Sequence, residues 1–268
     1  MKSRKLLLSL AVFFLVGAFV PTKASSLMYS EGEGEDNQPE ARGWVSIGPD
    51  NVAGRVRAIM FDKYNDGVMY AASVGGGLYV SVNNGANWKE IDFSNGECYA
   101  ATALAQGDDG AIYVGTGEGY YSDMFSGQNN RKSGLPGNGV YRVSFGVQNW
   151  AAGLASDADK YNYISTNSES TLISGTQPTK YDFTHEFCYV NDLAFVAGKL
   201  LIATKNGGLK VWDGSNLSTI SIDGSSTVNV TDVKVNRDNK VAIAYDAGTT
   251  FKVALSNTAF TQEGNIPA

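Results

Sequence analysis

The stretch VMYAASVGGGLYVSVNNGANW, residues 68–88, contains two alternating apolar runs joined by a glycine turn, and then a polar turn that ends in tryptophan. Alternation with a period of two is typical of β-strands, and short glycine turns join antiparallel strands. Ser81 and Asn83 carry short polar side chains that bond neighbouring backbone amides, and Gly85 supplies a backbone conformation that other residues reach only at a cost. Trp88 is expected to cover the apolar side of the hairpin. The stretch therefore predicts a self-supporting antiparallel sheet.

The same plan recurs three more times along the chain. The further copies of the strand, glycine turn and second strand span 111–144, 199–212 and 240–256. All four copies follow another alternating strand, at 55–61, 99–105, 190–196 and 230–236. A repeat of roughly 40 residues with three or four short strands is typical of a β-propeller blade. We predict an all-β protein, a β-propeller of four-stranded antiparallel blades, of which four are clear.

Residues 1–24 have the features of a cleavable signal peptide. A basic start precedes an apolar run over 6–20, and small residues precede a cleavage point after Ala24. The run is shorter than the roughly 20 residues of a membrane-spanning helix, so we expect secretion to the periplasm, the cell surface or the medium. Cleavage removes four of 21 basic residues and none of 27 acidic residues, which shifts the net charge from −6 to −10. An acidic chain without a basic stripe disfavours nucleic acid and anionic membranes as partners.

The rest of the chain divides into a leader and one domain. Residues 25–42 are acidic and nearly free of large apolar groups, which predicts a flexible segment, and residues 43–268 are assigned to the propeller. Residues 44–48 look like the outer strand that closes a last blade, and 153–184 are interpreted as a degenerate fifth blade or an inserted hairpin. A compact ring of four or five blades and a fragment of a larger propeller remain alternatives.

The polar turn also resembles a known repeat. Ser81-x-Asn83-x-Gly85-x-x-Trp88 is similar to the Asp-box, or BNR repeat, Ser-x-Asp-x-Gly-x-x-Trp, with Asn83 where aspartate is usual. Three other stretches add to a resemblance to secreted bacterial BNR/sortilin-like propellers: a degenerate second copy at 144–150, WVSIGPDNVAGRVRAI at 44–59 and YVGTGEG at 113–119. The resemblance implies that the turn is structural and lies away from the ligand face. It also implies that Asn83→Asp is neutral or slightly stabilising.

One turn between second and third strands is enlarged, GEGYYSDMFSGQNNRKSGLPGNG at 117–139. Tyrosine rings stack on sugars, and acids and arginines bond hydroxyl and carboxylate groups. Arg55, at the start of an inner strand, is expected to open on the same face. We predict that a glycan or an extracellular protein binds here, with an ordinary solvated loop as the alternative. The candidate ligand-binding residues are Arg55, Glu118, Tyr120, Tyr121, Asp123 and Arg131.

Catalysis is a weaker interpretation. BNR repeats occur in sialidases and endoglucanases, so the resemblance implies a glycoside hydrolase as one alternative. The Arg-Ile-Pro motif of sialidases is missing before the first repeat, and Val74 stands where the endoglucanases place aspartate. Only Glu118 and Asp123 offer the pair of carboxylates that such enzymes need. We therefore expect a non-catalytic binding platform, and a propeller assembly factor resembling photosystem stability factors is a third alternative.

No metal or cofactor site is predicted. The single histidine, His185, is placed at a strand edge without a second histidine or a cysteine nearby. The acidic clusters at 107–110 and 236–239 are interpreted as hairpin turns and not as calcium loops. Cys98 and Cys188 occupy similar positions in different repeats, which favours two small buried residues, although an exported protein permits a disulfide.

Overall fold

The computed structural model describes residues 55–93, 100–119, 135–179, 182–248, 250–256 and 258–260. These residues form four antiparallel sheets that follow one another in chain order, and one helix. The arrangement is a four-blade β-propeller, which confirms the predicted fold class. In the described part of the chain, no helix is both long enough and apolar enough to cross a bilayer.

Within each blade, consecutive strands pair antiparallel. Blade one contains β1 (Val56–Phe61), β2 (Met69–Ser73), β3 (Gly77–Ser81) and β4 (Lys89–Glu90). Blade two contains β5 (Ala101–Gln106), β6 (Ile112–Thr116), β7 (Val140–Ser144) and β8 (Glu169–Leu172). Blade three contains β9 (Val190–Val196), β10 (Lys199–Thr204), β11 (Gly208–Trp212) and β12 (Leu217–Ile220). Blade four has three strands among the described residues, β13 (Asn229–Val235), β14 (Val241–Asp246) and β15 (Phe251–Leu255).

The core lies between the blades. Tyr70 and Leu78 of blade one are buried in one cluster with Ile112 of blade two, and similar clusters join blades two and three and blades three and four. The second strands are covered on both faces, which explains why β2 and β6 have every residue buried. Full burial of one large aliphatic side chain contributes about 1.5–3 kcal/mol, so the stacked blades stabilise one another.

The segment 153–184 differs from the prediction. It forms neither a fifth blade nor an inserted hairpin, but helix α1 (Asp157–Asn167) and then β8, the outer strand of blade two. The N-cap Ser156 accepts a hydrogen bond from the Asp159 amide, and Tyr161 and Ile164 pack on the cluster between blades one and two. Because only these two side chains are buried, the apolar period of the helix is weak in the sequence.

The short turns follow the prediction more closely. Residues 107–110 and 236–239 are hairpin turns, in which the amides of Gly107 and Asn236 close on the carbonyls of Ala111 and Lys240. His185 does not lie at a strand edge as predicted. It lies in a turn, in which its Nδ1 accepts a hydrogen bond from the Phe187 amide. Among the described residues, no group of three His, Cys, Asp or Glu residues is placed to hold a metal ion.

Two further predictions fall partly or wholly outside the described residues. Cys188 is buried, but Cys98 lies outside the described ranges, so the pairing of the two cysteines stays untested. Residues 44–48, the predicted closing strand, also lie outside them.

Candidate ligand-binding face

The turn after β3 has the hydrogen bonds that its sequence predicts. The Ser81 hydroxyl accepts from the Gly85 amide at 2.9 Å and donates to Asn83 Oδ1 at 3.0 Å. Asn83 Oδ1 also accepts from the Asn87 amide at 2.9 Å. The indole N–H of Trp88 donates to the Gly85 carbonyl, and its ring is buried against Met69, Ala71 and Tyr79. These hydrogen bonds and the buried indole ring hold the hairpin together.

The same turn has a partner that the sequence did not indicate. Asn83 Nδ2 donates to Asp157 Oδ2 at 2.9 Å, in the first turn of α1. The Tyr161 hydroxyl, also on α1, donates to the Asn87 carbonyl at 2.8 Å. The turn therefore joins the outer edge of blade one to the helix of blade two.

Arg55 and Glu118, the candidate ligand residues that the structure describes, lie at the opposite end of the blades, here called the upper rim, which carries the β2–β3 and β10–β11 connections and both ends of the β6–β7 connection. Arg55 precedes β1 and Glu118 follows β6, and their side chains form an ion pair across the two blades. Arg57 Nη1 lies 3.5 Å from the other Glu118 oxygen. Sequence reasoning placed Arg55 and Glu118 on one face but missed Arg57. Arg57 lies where the β1–β2 register shifts between Val56 and Ala58, so simple strand alternation does not predict that its side chain faces Glu118.

The root of the long β6–β7 connection is fixed at both ends. The Glu118 amide donates to the Leu135 carbonyl at 2.9 Å, and the Gly137 amide donates to the Cys188 carbonyl at 2.8 Å. Gly117 has a φ of +89°, and a Cβ at this position would lie 2.1 Å from the Cys188 carbonyl oxygen. The connection therefore leaves blade two through a narrow gap against blade three, which only glycine fits.

A third cation lies beyond this root. Lys205 Nζ, in the β10–β11 connection, is 5.3 Å from the centre of the Tyr189 ring. A Cβ on Gly119 would lie 2.6 Å from Tyr189 Cβ, so the backbone of the connection runs directly over this pair. Burial, together with the neighbouring Cys188 thiol, raises the pKa of Tyr189 to about 12. A tyrosine is neutral at physiological pH even with its ordinary pKa of about 10, and the Lys205 cation lies over this neutral ring.

Cations and acids both line the upper rim of this acidic chain, which carries −6 in all. Between blades one and two, Arg55 and Arg57 face the carboxylate of Glu118, while beside the β10–β11 connection the exposed Glu186 pairs with Lys210. A guanidinium has five N–H donors, and the Arg55 side chain is 53% exposed, whereas that of Glu118 is 10% exposed. Arg55 can therefore donate to a carboxylate or hydroxyl of a ligand while it still holds Glu118.

The remaining predicted ligand residues, Tyr120, Tyr121, Asp123 and Arg131, lie outside the described residues, and their roles stay predictions. Both oxygens of Glu118 face guanidinium groups. A separate cleft of about 270 Å³ lies between α1 and β4 at the outer edge of the blades. None of the predicted site residues lines it.

The known proteins to which the chain is similar are solved structures of low sequence identity. No protein-family model matches the chain, and no curated protein matches it. Among solved structures, it is similar to YCF48 bound to D1 peptide (16% identity, TM-score 0.44, covering 81% of this chain and 55% of that one). It is also similar to the GH74 enzyme of Niastella koreensis (14% identity, TM-score 0.46, covering 75% of this chain and 28% of that one). A third similar structure is the WD40 β-propeller domain of Doa1 (14% identity, TM-score 0.40, covering 80% of this chain and 57% of that one). The chain spans little more than half of the YCF48 chain, and at these values nothing about its ligand follows.

Proposed function

We propose that this protein is a secreted, non-catalytic propeller of the BNR type that binds a carboxylate-bearing glycan or extended polypeptide at its upper rim. The observation that carries the proposal is the cluster of Arg55, Arg57 and Glu118 at the root of the long β6–β7 connection. Arg57 lies in β1, and Arg55 directly precedes β1 with its carbonyl bonded to the Val74 amide, so the backbone of both arginines is held at the end of the blade-one sheet. Binding groups on a rigid frame lose little entropy when they engage a ligand.

The two tyrosines complete the proposed site. Tyr120 and Tyr121 follow Glu118 by two and three residues, so chain length alone keeps their Cα atoms within about 12 Å of that of Glu118. Aromatic rings beside a cationic group suit a ligand that has both ring or apolar faces and acidic groups. Acidic sugars and peptides with Asp, Glu or a free C-terminus have this chemistry.

The proposal also includes secretion and the BNR assignment. Support for the assignment comes from the hydrogen bonds of Ser81, Asn83 and Gly85 and from the buried ring of Trp88, which give each residue of the motif a structural task. Secretion is supported by the composition of residues 1–24. Detection of the chain starting at Ser25 in a periplasmic or medium fraction, by N-terminal sequencing, tests it.

The binding proposal is tested with a glycan array that includes uronic- and sialic-acid glycans, and with an array of acidic peptides. Arg55→Ala should weaken binding by about tenfold or more, as expected for a lost charged hydrogen bond of about 1.5–3 kcal/mol. Arg237→Ala is the matched control, because Arg237 is exposed in the hairpin 236–239 at the opposite end of the blades. Its affinity should equal that of the wild type.

A loop exchange tests the tyrosines together. The replacement should span 120–134 and not extend to Leu135, whose carbonyl accepts from the Glu118 amide. A short glycine linker there should leave the melting temperature unchanged and abolish binding. Full binding by this variant would place the site elsewhere. If the wild type hydrolyses a glycoside and Glu118→Gln does not, the protein is an enzyme and the proposal of a non-catalytic binding platform is wrong.

A further inference from the structure

The inner strands β1, β5, β9 and β13 share one irregularity close to the upper rim. Each contains one extra residue that the pairing with the second strand of its blade skips, which is a β-bulge. In every inner strand the bulge lies within the first three residues, so the extra residues occupy equivalent positions in the four blades. In chain order they are Arg57, Thr102, Asn191 and Thr231.

In blades two and three, this residue bonds its blade to the following one. Thr102 Oγ1 donates to the Val190 carbonyl of blade three at 2.9 Å, and Asn191 Nδ2 donates to the Val230 carbonyl of blade four at 2.7 Å. Both acceptors belong to the residue just before the next bulge, and both donors belong to buried side chains. In blade four, the Thr231 hydroxyl donates to a carbonyl of its own blade. A short neutral donor therefore suits this position.

Blade one departs from this pattern, because its extra residue is charged. Arg57 Nη1 lies 3.5 Å from one oxygen of Glu118, whose other oxygen pairs with Arg55. A bond to the backbone of the following blade would need only a hydroxyl or an amide, so the contact between blades does not explain the charge of Arg57. The cluster holds two guanidinium groups and one carboxylate, which leaves one positive charge to attract an anion.

Of the two arginines, Arg57 is the better placed to distinguish a charged ligand from a neutral one. Its side chain is 24% exposed, whereas that of Arg55 is 53% exposed. Water and salt screen a charge less as its exposure falls, so a ligand carboxylate gains more from its charge beside Arg57 than beside Arg55. The residues on both sides of Arg57 pair with β2, which fixes its backbone before a ligand binds.

We propose that Arg57 makes the site select a free carboxylate over an uncharged group of similar shape, one carboxylate for each site. The assignment rests on the binding function proposed above and names the residue that sets its specificity. An amide in place of the carboxylate would lose the charge-assisted hydrogen bond and would leave the excess guanidinium charge unpaired. Acidic sugars and acidic peptides therefore bind, and their amidated forms are rejected.

The test compares each acid with its own neutral form. The acidic glycans and peptides of the arrays are presented twice, once as free carboxylates and once as primary amides. The wild type should bind the free acids about tenfold or more tightly, the difference expected for one charged hydrogen bond. Arg57→Gln keeps an amide donor and removes the charge, and Arg57→Thr gives blade one the extra residue of blade two. Both variants should bind the two forms equally, to within about threefold.

Two further variants separate charge from packing. Arg57→Lys keeps the charge without the planar fork, so it should bind more weakly and still prefer the free acids. Thr231→Ala is the matched control, because it shortens the equivalent residue of blade four, and it should retain both the affinity and the preference of the wild type. Circular dichroism checks that every variant is folded.

The outcomes distinguish the specificity from the binding function itself. Equal binding of acids and amides by the wild type, or a preference for acids that persists in Arg57→Gln or Arg57→Thr, overturns the role of Arg57 while binding at the upper rim remains. If neither neutral variant folds, the contact between blades requires the guanidinium, and the role given to Arg57 is wrong. If no probe binds to the wild type, the proposed binding function fails, and the role of Arg57 fails with it.

Discussion

Asn83→Asp should destabilise the protein, although it restores the usual residue of the Asp-box. In the wild type, Asn83 Nδ2 donates to Asp157 Oδ2 at 2.9 Å, while Asn83 Oδ1 accepts from Ser81 and Asn87. An aspartate keeps the two accepted bonds but faces the Asp157 carboxylate with a second negative oxygen. We therefore expect the opposite of the neutral or slightly stabilising change that the motif alone predicts.

The magnitude follows from three effects. Loss of the exposed hydrogen bond costs about 1 kcal/mol, and repulsion between two carboxylates about 4 Å apart in water costs about 1 kcal/mol. Stronger, charge-assisted bonds from the Ser81 hydroxyl and the Asn87 amide offset roughly half of this sum. The net loss is about 1 kcal/mol, or about 2–4 °C in melting temperature for a domain of this size.

Urea unfolding at pH 7 and low salt measures the effect, in a double-mutant cycle with Asp157→Asn. In the Asp157→Asn background, an aspartate at position 83 can accept a hydrogen bond from the neutral amide at position 157. Asn83→Asp should therefore be neutral or stabilising in that background. High salt should reduce the penalty in the wild-type background. If Asn83→Asp proves neutral or stabilising while Asp157 is present, the contact between the turn and α1 does not form.

Two further stability predictions follow from buried groups. Trp88→Ala should cost about 3–5 kcal/mol in denaturant unfolding, because it leaves a cavity beside Met69 and Tyr79; an unchanged transition would contradict the structural role of the motif. Burial and the adjacent Asp232 raise the pKa of Asp192 to about 7 and outweigh its ion pair with Lys234, which lowers that pKa. Because the unfolded value is about 3.9, the free energy of unfolding should fall as the pH rises from about 4 to 7. Asp192→Asn should remove this slope and the exposed Asp238→Asn should keep it; an unchanged slope in Asp192→Asn refutes the assignment.

Much of the fold could be predicted because its signals are local. Strand alternation and glycine turns recur within each repeat, and the hydrogen bonds of the polar turn span only two to four residues. Helix α1 was missed for the opposite reason. Its stability depends on burying Tyr161 and Ile164 against side chains from blades one and two, and a helix that buries so few residues has little apolar period of its own.

The candidate site was predictable only in part. The length and composition of 117–139 indicated the connection, and a strand start at Arg55 indicated the face. The ion pair of Glu118 with Arg55 and Arg57 joins residues some 60 positions apart, and it exists because blades one and two stack in one relative position. A pattern read from neighbouring residues cannot predict a contact between residues so far apart in the chain.

The sequence by itself determined the blade, since alternating apolar residues, positive-φ glycines and short polar caps specify an antiparallel sheet from within one repeat. Only the tertiary structure decided what each blade meets. It placed Asn83 beside Asp157, brought Arg55 to Glu118 and left the side chains of Phe61 and Val253 exposed. The physical reason is that pairing within a sheet depends on near neighbours in the chain, whereas packing and charge depend on which surfaces the stacked blades bring together.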